Sequence, residues 1–212
     1  MYEKGSDLME KRQEILETYW NYYLELEQQF LNTSKYVEIC KNNFNTYSIE
    51  YLKLFQAICS EVDVLAQAIA LNANQALKQN DVNTISKWGY YVEYYYPDIT
   101  SFRVNIKDMI IVPFANWKHE LSRNKKGALV MKLSDGSRNP NWWIEHNKVK
   151  HQWVILCKDN ESFNYSKANL KNVLYSLAGL YALEMIIMSI YDIDVNQYQS
   201  HIFKSEQLVK SK

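Results

Sequence analysis

The chain has 212 residues, a length that suits one domain, with 47% hydrophobic residues to supply a core and only 5 Gly and 3 Pro. So few turn-formers argue against a many-stranded β architecture, and 24 Lys+Arg against 24 Asp+Glu exclude a global basic field that would draw in nucleic acid. Cys40, Cys59 and Cys157 form no CxxC pair and are odd in number, which supports neither a structural zinc site nor a disulfide framework and suits isolated thiols in a reducing compartment.

The opening MYEKGSDLMEKRQE is charged, has no apolar run and does not read as a secretory signal. Ser6 or Asp7 is placed to cap a first helix running to about Leu31, because Leu8, Ile15, Leu16, Tyr19, Tyr23, Leu26 and Phe30 recur at three- and four-residue steps. KNNFNT, residues 41 to 46, marks a turn. A second long helix is expected from Ser48 to about Gln79, where Leu54, Phe55, Ile58, Val62, Leu65 and Ile69 lie on a broad apolar face. A shorter helix from Val82 to Tyr95 is stopped by Pro97. Its tract KWGYYVEYYYPD, residues 87 to 98, has the aromatic surface to stack single-stranded bases or to form a dimer contact, and is read as a helix half-buried on the bundle.

Residues 98 to 137 change character. FRVNI, DMIIVPF and ALVMKL are short β-branched or alternating runs separated by polar turns, including NKKG at 124 to 127 and SDGS at 134 to 137. They predict a small β-hairpin or irregular insertion. Asn139-Pro140 offers an N-cap followed by Pro at the first helical position. The helix that follows carries WWIEHNKVKHQW, residues 142 to 153. After a polar loop, the last long helix runs from about Lys167 to Tyr191, and residues 195 to 212 form a peripheral tail. Val173 to Tyr191 is almost wholly apolar, but Glu184 within it is costly at mid-membrane, so the segment is read as the central buried helix of a soluble, cytoplasmic bundle with no second span. The sum is one mainly α domain, residues 1 to 212: a four-helix antiparallel bundle with an insertion near 98 to 137.

HNKVKH is the densest chemistry in the chain. On a helix, Asn147 and His151 share one face, and Lys148 lies beside His151. His146 and His151 are five apart, about 140° around the axis, so one helix cannot aim both imidazoles at a single small atom. A histidine near its free pKa exchanges protons at neutral pH. Lys148 and Lys150 neutralise a phosphate as point charges, without the fork of an arginine. Glu184 is a candidate to orient His151, or to face Lys148, from the neighbouring helix; the competing and favoured reading has it pair with a tyrosine hydroxyl or reach the surface. The competing reading makes Trp142, Trp143 and Trp153 pins that hold the helix to the bundle. The sequence lacks HExxH, GxxxxGK[ST], GxGxxG and a nucleophile elbow, so no metal ligands and no cofactor are expected.

This helix order, with HNKVKH on the third helix, resembles the HEPN superfamily of small α-helical proteins. That family's signature is an arginine, four to six residues, then a histidine, with a polar residue often following the arginine. The histidine falls on His151, the polar companion on Asn147, and the arginine position on His146, so the cation is replaced; Arg138 fits the spacing poorly. The resemblance implies a homodimer that pairs two motifs. Many members are metal-independent ribonucleases in which the histidine handles a ribose hydroxyl proton and the arginine holds the phosphate. Others have lost the catalytic pair and act as binding or antitoxin-like partners beside mobile or defence genes. The expectation is a non-catalytic binding or interaction protein, with RNA or a protein as partner. The alternative is a divergent ribonuclease using His151 with Asn147, His146 and Lys150, and with Lys148 and Lys150 on the substrate.

Overall fold

A computed structural model describes residues 3–118, 120–123, 129–132, 138–157 and 162–205. The molecule is mainly helical: α1 (Glu3–Ile15), a π-helical turn (Leu16–Trp20), α2 (Asn21–Thr33), α3 (Ile49–Ala73), α4 (Ile85–Tyr95), α5 (Asn141–Gln152) and α6 (Leu170–Ile190). Two hairpins lie between α4 and α5: β1 (Val104–Ile106) with β2 (Met109–Ile111), and β3 (Glu120–Arg123) with β4 (Leu129–Lys132).

The expected first helix forms with one correction. The π turn places one extra residue between Ile15 and the next core position, so Ile15, Trp20, Tyr23, Leu26 and Phe30 are the buried set, while Leu16 and Tyr19 are only partly buried. Trp20 thereby stacks on Tyr23, ring centroids 4.9 Å apart. α3 starts as expected, with the Ser48 hydroxyl accepting from the Tyr51 amide at 3.1 Å. It ends at Ala73 rather than Gln79, because the Asn74 side chain accepts from the Ala76 amide and competes with the helix. α4 starts at Ile85 rather than Val82. α5 starts one residue late: Pro140, not Asn139, is the cap, and its carbonyl accepts from Trp143 and Ile144 at 3.0 and 3.1 Å. α6 is capped by Asn169, whose Oδ1 accepts from the Asn172 amide.

α3 and α6 form the central pair. They run in the same direction, contrary to the antiparallel expectation. Tyr47 pairs with Asn169 just before the two helices begin, and Asn72 meets the Tyr191 hydroxyl where both end. Short connections force antiparallel neighbours; here α4, both hairpins and α5 intervene and return the chain to the starting end. α3 and α6 both have the length and composition to cross a membrane, so α6 is accompanied by a second such helix, contrary to expectation. The apolar window of α6 is 83% buried inside the protein and that of α3 50%.

The insertion is two separate two-stranded sheets. In the first, Val104, Ile106, Met109 and Ile111 are buried, and Lys107 takes φ 51° at the turn. The turn motifs at 124 to 127 and 134 to 137, and His119, lie outside the described residues. The tail departs from a peripheral role within the described residues: Asn105 and Lys204 exchange backbone hydrogen bonds at 2.8 and 3.0 Å, and Phe203 is buried near Tyr181.

Candidate functional site

α5 buries Trp142, Trp143, His146 and Val149 and exposes Ile144, Asn147, Lys150 and His151. The burial steps of three follow the helical repeat, so HNKVKH is split between two faces. Trp142 is fixed by its indole N–H, which donates to the Pro113 carbonyl at 2.7 Å. Trp143 meets Trp88 edge to face at 5.6 Å. Trp153 does not pin the helix as expected: it is 49% exposed, because the helix ends at Gln152 and the chain turns outward there.

His146 lies 5% exposed between Phe55 and Trp143, with ring centroids 5.5 and 5.4 Å away. Burial, then the charges of Lys150 and His151, lower its pKa to about 4. It is therefore a neutral imidazole at physiological pH, and its buried Nδ1 has no hydrogen-bond partner. A neutral ring supplies no positive charge at this position. His151 and Asn147 lie together on the solvent face. Lys148 pairs with Glu145 at 2.7 Å.

Glu184 is fully buried on α6, and neither carboxylate oxygen has a hydrogen-bond partner among the described residues. It does not orient His151 or pair with Lys148. Burial and then the nearby Glu61 charge push its pKa well above the usual carboxylate range. Among the described residues no group of three or more His, Cys, Asp or Glu is placed to hold a metal ion.

Three features escaped the sequence reading. The His146 side of α5 faces a cavity of about 340 Å³ bounded by α3 and the start of α4. At the far end of α5, Trp153, Val154, Ile155, Leu156 and Phe163 are all exposed. Glu27, fully buried on α2, accepts from the Tyr23 hydroxyl at 2.6 Å, from the His201 amide at 2.8 Å and from the Ser200 hydroxyl, and its Oε2 lies 2.7 Å from His201 Nδ1. A carboxylate beside Leu26 and four residues after Tyr23, on an apolar stripe, was the available signal for that last network.

The tyrosine tract of α4 is half-buried. Tyr90, Tyr91, Tyr94 and Tyr95 form a tilted ring ladder with centroids 4.8 to 6.0 Å apart, and Lys87 is held by the Asn80 carbonyl and the Asn83 side chain. The chain matches no family model, no curated protein and no solved structure.

Proposed function

We propose that this chain is a non-catalytic, HEPN-like binding protein that forms a homodimer through the end of α5. The burial of His146 carries the reading. At the arginine position stands a neutral ring enclosed by Phe55 and Trp143, so no cation from that position holds a phosphate beside His151. The contiguous exposed residues Trp153 to Leu156, with Phe163, supply an apolar surface of the kind that marks association sites. A cytoplasmic setting in bacterial stress or defence follows from the resemblance alone.

Purified protein and its His151→Ala variant, incubated with mixed RNA and chelator, test the reading. We expect no His151-dependent cleavage, and we expect Leu156→Asp to turn a dimer into a monomer in light scattering. RNA cut by the parent and spared by the variant would overturn the non-catalytic reading, and a parent that is monomeric at high concentration would overturn the dimer. A divergent metal-independent ribonuclease is the second reading; the shared exposed face of Asn147 and His151, with Lys150 beside it, favours it.

A further inference from the structure

The cavity between α3, the N-terminus of α4 and α5 has the makings of a small-molecule site. Its volume of about 340 Å³ lies at the lower end of the range for ligand pockets. Three of its features converge chemically. Lys150 brings an ammonium from the exposed edge of α5. Thr84 and Ile85 present the first turn of α4, an eleven-residue helix whose cap residue makes no side-chain hydrogen bond to that turn. The opening amides of a helix lack internal partners and carry partial positive charge. Independently, His146 lines the same cavity, 5% exposed, and its ring makes no hydrogen bond to any of the described residues. A polar side chain left unpaired in a buried wall is costly, which favours a ligand oxygen at the edge of the ring that borders the cavity.

Asp63 decides which anion fits. Its carboxylate also lines the cavity, and its oxygens accept from the Trp88 indole at 2.7 Å and from the Gln67 amide at 2.9 Å. Each oxygen still has acceptor capacity. A carboxylate beside an anion repels it unless the anion carries a proton to donate. Phosphate carries one near neutral pH, and sulfate does not. A similar proton remains on part of a phosphate monoester population, whose second pKa is about 6.

We propose that this cavity binds a phosphate group, held by the Lys150 ammonium and the first turn of α4, with its P–OH donating to Asp63 and a further oxygen meeting His146. His151 does not line this cavity, whereas Lys150 and His146 do, so the His151→Ala variant separates phosphate binding here from cleavage of RNA. The space beyond one phosphate, walled by Trp143 and Ile85, has room for a small organic body.

The test is an NMR titration of the His146 ring signals in the full chain with inorganic phosphate, sulfate and a ribonucleoside 5′-monophosphate, at constant ionic strength. Phosphate should shift His146 saturably in the millimolar range, and sulfate should not. Lys150→Gln, at an exposed position, should weaken phosphate binding at least tenfold, and His151→Ala should leave it unchanged. If the nucleoside monophosphate binds more tightly than free phosphate, the organic body contributes; equal affinities assign the site to the free ion. An unmoved His146 signal with both phosphates, sulfate binding as well as phosphate, or a Lys150→Gln variant that binds like the parent each overturns the proposal.

Discussion

Gly179 sits in the middle of α6, where glycine costs about 1 kcal/mol relative to alanine. The Trp142 ring explains its presence. A Cβ there would lie 3.0 Å from Trp142 Cζ2 and 3.4 Å from Phe114 Cζ. Trp142 is buried and tethered to the Pro113 carbonyl, so it has little freedom to retreat. Overpacking of about 1–3 kcal/mol then outweighs the propensity gain. Gly179→Ala should lower stability by roughly 1 kcal/mol in a denaturant titration, and a more stable variant would mean that the indole yields. The exposed positions behave differently. His151→Ala and Asn147→Ala remove no buried contact and should change stability by less than about 0.5 kcal/mol. Any effect they have on RNA is therefore a reading of chemistry rather than of folding, which the same titration checks.

At the scale of elements, the tail is held to α2 by one carboxylate. Glu27 gathers Tyr23, Ser200 and His201 in a site that excludes water from the acid itself. Glu27→Gln places an amide donor against the donors of His201 and should cost about 1–3 kcal/mol. His201→Ala should cost less, since that side chain is 59% exposed and the backbone amide bond to Glu27 persists. In both variants amide hydrogen exchange at residues 200 to 204 should quicken ahead of exchange in α6; uniform quickening would show that the tail is not a separate unit. Helices α3, α4, α5 and α6 were legible because their apolar residues recur at three and four, with Ser48 capping α3 and Pro97 stopping α4; the caps of α5 and α6, Pro140 and Asn169, were not, since Asn139 and Lys167 offered equally good starts. The π turn was not, since a step of five between Ile15 and Trp20 competes with good helical steps through Leu16 and Tyr19. The direction of α6 relative to α3 was not, since periodicity marks which face is buried and not which way a distant partner runs. At the candidate site, spacing alone separated His146 from His151. Which of them turned inward depended on Phe55 and Trp143, contacts made across elements.

Across the whole molecule, two buried titratable groups act on stability with opposite sign. His146 has a folded pKa near 4 against about 6.5 when unfolded, so the unfolded chain binds the extra proton as pH falls. Its effect is absent above pH 6.5 and destabilises by about 1.4 kcal/mol per unit below it, until both states are protonated near pH 4. Glu184 is the reverse. Its folded pKa is raised, so the folded chain holds a proton that the unfolded chain has released above about pH 4.3. Its contribution is most favourable below that value and is lost as pH rises through the folded pKa, again at about 1.4 kcal/mol per unit. Above about pH 4.3 the two slopes therefore oppose one another for as long as both groups titrate. Glu184→Leu removes one arm, together with two unsatisfied oxygens, and leaves the other. The variant should therefore be more stable than the parent, and its advantage should grow as pH rises above about 4.3. Its own stability should drop on acidification from pH 6.5 to pH 4 more steeply than the parent's. Thermal melts of the two proteins in matched buffers measure the difference directly, and groups that titrate alike in both drop out of it. A constant difference from pH 5 to pH 8 would mean that Glu184 is ionised in the folded protein, with a hydrated or paired carboxylate in place of a buried neutral acid.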